Sequence, residues 1–288
     1  MSIERTVRSA DGLALFVREW PAEQAAQGPL DLGTPVLCLH GISRNSRDFE
    51  LVAPRLAALG RRTIAMDVRG RGRSDFASAS AHYQVPVYAQ DALRVLDELG
   101  VEKAVLLGTS MGGLITTLVA QAAPQRLAGA ILNDIGPAID PRGISRIAGY
   151  LDKIENRGSL DEAAAAIALV QGVAYPGADA QFWRTMARRT FRQRADGRFE
   201  PDYDPAISAS LASAQPVDYA AAFRCLAPIP TLVLRGAMSD ILSRDGVRVM
   251  QELKPDVEVL EVPNVGHAPT LEEPSAWLPI VDFLARVA

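Results

Sequence analysis

Short apolar runs alternate with amphipathic segments through most of this chain. Pro35-Val-Leu-Cys-Leu39 reads as a strand, residues about 46–59 as a helix, Thr63-Ile-Ala-Met66 as a strand and residues about 87–99 as a helix. The series continues with a strand at Ala104-Val-Leu-Leu107, a helix at about 111–122 and a strand at Ala130-Ile-Leu132. It stops near Ile139 and resumes near Pro230 with Thr231-Leu-Val-Leu234, a helix at about 243–253, Val257-Glu-Val-Leu260 and a helix at about 275–286. Strands apolar on both faces, separated by helices of this length, predict a parallel sheet covered on both sides. Ahead of the series, Ile3 to Val7 and Leu13 to Glu19 read as a two-stranded ribbon turning at Asp11-Gly12, and Gly28, Pro29 and Gly33 mark a linker.

The interruption at about 139–215 reads as a helical insert holding Tyr150, Phe182, Trp183, Phe191, Phe199 and Tyr203. An insert after a strand's carboxyl end lies over the crevice where open α/β sheets bind ligands, so a lid is its expected role. The expected division is a core of residues 1–138 and 216–288 and a cap of residues 139–215.

Composition narrows the functional class. With 288 residues, 48% hydrophobic and 22% charged, the chain suits one large core with an insert. A net charge of −4 gives no field for nucleic acid, so a small-molecule partner is expected. Two cysteines, Cys38 and Cys225, cannot build a disulfide framework, and Met1 to Arg8 lacks the apolar region of a secretory signal; both suit the cytoplasm. Ala104 to Gln125 carries no charged side chain, but Gly108, Ser110, Gly112 and Gly113 divide it into a buried strand and a buried helix, so no membrane partner is expected. A monomer or homodimer is compatible with this composition.

Gly108-Thr109-Ser110-Met111-Gly112 lies between a strand pattern and a helix pattern, the context in which G-x-S-x-G marks a strained turn that lifts a serine hydroxyl out of the sheet. A serine needs a base. Of the three histidines, His82 lies in a polar loop and His40 ends a strand, where its ring nitrogens are expected to brace the loop. His267 follows the strand at 257–262 and is the expected base. An acid must then hold the imidazole's tautomer. Asp240 and Asp134 both follow strands, and Asp240 is preferred because it completes the order Ser, Asp, His, leaving Asp134 to cap or orient the loop entering the lid.

His40-Gly41-Ile42, Asp67-Val-Arg-Gly-Arg-Gly-Arg-Ser74-Asp75, the turn at Ser110, Asp240 and Gly266-His267 come in the order that resembles the α/β-hydrolase fold superfamily, in its capped, cofactor-free branch. The resemblance implies a mostly parallel eight-stranded sheet with helices on both faces and a helical lid. It implies Ser110 as nucleophile, His267 as base, Asp240 as its acid, and the amides of Met111 and Ile42 as oxyanion donors. The Asp67 to Ser74 segment is similar to a turn that is structural in such proteins. A serine at the turn sets the chain apart from the haloalkane dehalogenases and epoxide hydrolases, which use an aspartate there. It resembles carboxylesterases, enol-lactonases, hydrolases of carbon-carbon bonds in ring-cleavage products, and cofactor-free haloperoxidases. The expected activity is hydrolysis of a small, mostly apolar carboxylic ester or lactone through an acyl-enzyme on Ser110. Carbon-carbon bond hydrolysis, a peracid-forming perhydrolase and a non-catalytic ligand receptor are the alternatives. His40, Trp183, Met238 and Ile241 are candidate substrate contacts, and no metal or organic cofactor is implied.

Arg184, Arg188 and Arg192 recur every four residues, with Arg189, Arg194 and Arg198 nearby. One helical face of arginines could guide a substrate carboxylate, but a solvated surface paired with Asp179, Asp196 and Glu200 is the preferred reading. Glu273-Pro274 reads as a helix start.

Overall fold

The computed structural model describes residues 1–23, 33–151, 155–212 and 216–287. The predicted linker at Gly28 and Pro29 and the predicted end of the insert at 213–215 lie outside the described residues. The chain opens with β1 (Ile3–Arg8) and β2 (Ala14–Trp20), an antiparallel ribbon that turns where Gly12 takes φ +88°. There follow β3 (Val36–Leu39), α1 (Val52–Ala58), β4 (Thr63–Met66), α2 (Val85–Glu98), β5 (Ala104–Thr109), α3 (Met111–Ala122) and β6 (Leu127–Asn133). The predicted helix at 46–59 is shorter, because the side chains of Asn45 and Asp67 accept the amides of Arg47 and Ser46 and hold residues 46–49 as a separate tight turn before α1.

The segment after β6 forms α4 (Pro141–Leu151), α5 (Leu160–Gln171), α6 (Ala180–Thr190), the hairpin β7 (Phe191–Gln193) and β8 (Phe199–Pro201), and α7 (Ala206–Ala212). It is therefore not all helical. Gly197 at φ +83° turns the hairpin, and Arg192 pairs with Glu200 across it rather than continuing the face of Arg184. Arg184 pairs with Asp161 on α5, and Arg194 with Glu200 and Asp196, so these arginines form the paired surface expected of them. The core resumes with α8 (Tyr219–Arg224), β9 (Thr231–Gly236), α9 (Arg244–Leu253), β10 (Glu258–Val262) and α10 (Pro274–Arg286).

The main sheet has the order β1-β2-β4-β3-β5-β6-β9-β10, with β2 antiparallel to both neighbours and every pair from β4 to β10 parallel. Alternation along each strand divides the core. Leu37, Leu39, Ile64, Met66 and Leu106 face one buried cluster with Ile115 and Val119 of α3, while Val36, Cys38, Ala65, Val105 and Leu107 face another with Leu56 of α1 and Phe283 of α10. Parallel pairing brings the carboxyl ends of β3, β5, β6, β9 and β10 to one edge, where their following loops meet.

The expected turn after β4 is structural. Asp67 accepts the amides of Ser46 and Arg73 at 2.6 and 2.8 Å, and Gly72 at φ +57° leaves room for that carboxylate. The same turn seats the hairpin segment: Gly72 donates to the Asp202 carbonyl and Asp204 donates to that of Gly70, at 2.9 and 2.8 Å. No helix among the described residues is long and apolar enough to cross a membrane, and Ala104 to Gln125 folds as β5 and α3.

Candidate active site

Ser110 joins β5 to α3 with φ +52° and ψ −117°, a conformation that L residues rarely adopt. Its neighbours permit it. A Cβ at Gly108 would meet the Gly112 carbonyl at 2.3 Å, and one at Gly112 would meet the Leu39 carbonyl oxygen at 2.0 Å, so only glycine lets the helix approach the sheet this closely. The amides of Met111 and Ile42 have no hydrogen-bond partner among the described residues. Gly41 lies beside the serine, where an added Cβ would stand 3.8 Å from that of Ser110. Ile42, Met111 and Ser110 line one cavity.

His267 follows β10 and is mostly buried, with Nε2 2.8 Å from Ser110 Oγ. Its Nδ1 stands 2.8 Å from Asp134 Oδ2. The carboxylate bonded to His267 therefore belongs to Asp134 on the turn after β6, and not to Asp240. Asp134 is fully buried. Its Oδ1 accepts the Gly236 amide at 2.8 Å, and its Oδ2 also accepts the Ser239 hydroxyl at 2.6 Å. The loop after β9, which the sequence reading expects to supply the acid, supplies two donors that fix the orientation of Asp134 instead.

Asp240 lies further along that loop, 37% exposed, with its carboxylate held by Arg146 of α4 at 2.5 and 2.8 Å. Burial raises its pKa, but the Arg146 hydrogen bonds and charge, with a smaller contribution from the nearby His267, bring it below the usual carboxylate value. A fork-to-fork pair of this kind fastens α4 to the core.

The other expected residues divide. Ile241 lines the cavity that reaches Ser110. His40 is fully buried, its Nε2 accepting the Val68 amide at 2.9 Å and its Nδ1 2.7 Å from the Gly41 carbonyl, so it braces the loop and lines neither of the cavities at Ser110. Trp183 packs edge-on against Tyr175 and Phe182, and Met238 is half exposed; neither lines a described cavity at Ser110. Glu273 precedes α10 as a cap residue and accepts from Thr270, and His82 lies exposed away from the site.

Several site residues carry no sequence signal of their own. Asn133 ties β5 to the histidine loop by donating to Thr109 Oγ1 and to the Pro269 carbonyl. Tyr175 donates from its hydroxyl to the Ala268 carbonyl at 2.6 Å, and Gly266 donates to that of Ala174, so the segment between α5 and α6 clasps the loop carrying His267. Arg44, Arg146 and Arg189 line the cavity beside His267. Only Arg189 was near a pattern that the sequence made visible.

The sequence model of a family described as alpha/beta hydrolase fold matches residues 34–274. A 3-hydroxybutyrate-oligomer hydrolase of Cupriavidus necator is 34% identical over 249 residues, 83% of this chain and 84% of that protein. A 2-(acetamidomethylene)succinate hydrolase of Mesorhizobium japonicum is 29% identical over 256 residues, covering 88% and 85%. The crystal structure of an alpha/beta hydrolase from Novosphingobium aromaticivorans superposes with a TM-score of 0.91 at 40% identity, over 99% of each chain.

Proposed function

Because the chain belongs to the α/β-hydrolase family, we propose that it is a serine hydrolase cleaving a small carboxylic ester or lactone through an acyl-enzyme on Ser110. The observation that carries this reading is the unbroken relay from Ser110 Oγ to His267 Nε2 and from His267 Nδ1 to Asp134 Oδ2, each contact 2.8 Å. His267 removes the serine proton as Oγ attacks the carbonyl carbon. The tetrahedral oxyanion is held by the amides of Met111 and Ile42, each such donor typically worth about 10²–10³ in rate. The imidazolium, oriented by Asp134, returns the proton to the leaving oxygen. Water activated by the same imidazole then releases the acid. The segment spanning α4 to α7 acts as the lid over this edge of the sheet.

Ester chemistry is supported by the relative that hydrolyses 3-hydroxybutyrate oligomers. The test is labelling with a fluorophosphonate, followed by peptide mapping and a panel of p-nitrophenyl esters of rising acyl length. The expected result is modification at Ser110 alone, lost in His267→Ala, with turnover abolished in Ser110→Ala while the fold survives. Labelling elsewhere refutes the assignment. Faster cleavage of vinylogous diketones than of aryl esters would move the reaction to carbon-carbon bonds.

A further inference from the structure

Two cavities of different character meet at Ser110. One of about 300 Å³ is lined mostly by apolar and aromatic side chains, among them Tyr83, Leu114, Ile135 and Tyr219, and its arginine, Arg71, is already committed to the carbonyls of Ile42 and Arg69 and the Tyr88 hydroxyl. The other, about 90 Å³, is lined by His267, Arg44, Arg146 and Arg189, with Asp48 as its acidic residue, among apolar side chains such as Ile147 and Met186. His267 borders the second and not the first. If Ser110 forms the acyl-enzyme as proposed above, the two halves of the substrate are assigned by this asymmetry. The leaving oxygen must receive its proton from His267 Nε2, so the departing alcohol occupies the basic cavity and the acyl chain the apolar one.

The three guanidinium groups are not equivalent. Arg44 bonds both oxygens of Asp48, and Arg146 bonds both oxygens of Asp240. Arg189, in the last turn of α6, is only 6% exposed, yet its guanidinium makes one hydrogen bond, from Nη1 to Glu272 Oε1 at 3.0 Å. Among the described residues its Nε and Nη2 have no partner. Its backbone is held in place by Asn45, which donates to the Arg189 carbonyl at 2.9 Å. Neither nitrogen is among the fully buried atoms without a partner, so both reach accessible space beside the cavity that Arg189 lines, and the planar fork matches a carboxylate.

We infer that Arg189 receives a carboxylate on the alcohol half of the substrate, so that the protein cleaves acylated hydroxy acids with a free acid group. In the reaction Ser110 Oγ bonds to the acyl carbon, the tetrahedral oxyanion collapses with rupture of the bond from that carbon to the alcohol oxygen, and the serine proton passes through His267 to the hydroxy acid. Water then divides the acyl-enzyme into a carboxylic acid and free Ser110.

The test compares 3-(butanoyloxy)butanoate with its methyl ester, and uses p-nitrophenyl butanoate as a third substrate. The wild-type protein is expected to favour the anion in kcat/KM by about tenfold or more, the scale of one charged hydrogen bond. Arg189→Gln should erase that preference through KM, and Arg189→Lys, which keeps the charge without the fork, should retain part of it. Glu272 is 31% exposed and stays solvated in both variants, and thermal melting checks that each folds. Free 3-hydroxybutanoate should inhibit the wild-type protein competitively while its methyl ester does not, an arm that needs no variant. Cleavage of all three esters without anionic preference, or a preference that survives in Arg189→Gln, overturns this inference alone. Failure to cleave any of them overturns the ester reading as well.

Discussion

His267 Nδ1 lies 2.8 Å from Asp134 Oδ2, although Asp240 stands on the neighbouring loop with a carboxylate that Arg146 has already engaged. A carboxylate in the position of Asp134 fixes the proton on Nδ1 and leaves Nε2 free to accept from Ser110. Asp134→Asn is expected to lower kcat by about 10⁴, by favouring the wrong tautomer. Asp240→Asn should cost less than about tenfold, a lid-fastening effect of roughly 1 kcal/mol. Steady-state kinetics of the two variants on one aryl ester checks this, and the opposite ranking would return the role to Asp240.

The strain at Ser110 predicts a separation of activity from stability. Residues held at φ and ψ values of this kind cost about 1–3 kcal/mol, which glycine avoids in part. Ser110→Gly and Ser110→Ala should both be inactive, but the glycine variant should be more stable than the alanine variant by about 1 kcal/mol. Urea unfolding of the pair measures the difference. Equal midpoints would show that the turn is not strained.

Gly112 tests the packing of the helix on the sheet. An added Cβ would meet backbone, the Leu39 carbonyl oxygen at 2.0 Å, and no side-chain rotation relieves that contact. Gly112→Ala should destabilise the fold by about 3 kcal/mol or more, against the smaller cost of ordinary overpacking. Gly149, with nothing within 4 Å of an added Cβ, is the control, and its alanine variant should melt no lower than wild type. A tolerated Gly112→Ala would mean that α3 lies further from β3.

His40 makes stability depend on pH. Burial lowers its pKa from 6.5 to about 4, against the raising effect of Asp67. Above about pH 6.5 the ring is neutral in folded and unfolded chains alike, and its titration has no effect on stability. As pH falls from about 6.5 towards 4, the unfolded chain takes a proton that the folded state refuses, so stability is lost through this window and levels off below it. The total is on the order of 3 kcal/mol. The His40 Cε1 proton resonance should stay flat between about pH 8 and 5, and a midpoint near 6.5 would refute the assignment.

The sequence by itself determined the sheet, the serine turn and the histidine. Runs such as Val36–Leu39 and Thr63–Met66 are buried on both faces, so their hydrophobicity encodes their place directly, and Gly108 and Gly112 record a backbone approach that no other residue allows. The insert was less legible. Arg184, Arg188 and Arg192 have helical spacing, but α6 ends at Thr190 because the hairpin pairing of Phe191 with Pro201 takes over, a contact absent from local periodicity.

The acid was decided only by tertiary structure. Asp134 and Asp240 both fall between Ser110 and His267 in the chain and both follow parallel strands, so order does not separate them. Strand adjacency does: β6 lies next to β5, and the turn after it carries Asp134 to the imidazole, while Asp240, further along its loop, meets Arg146 from α4. Which of two equivalent carboxylates reaches the ring depends on loop paths of a few ångströms and on a partner about ninety residues away in the chain. Hydrogen bonds and ion pairs of that kind are made between segments, and leave no mark on the pattern of either one.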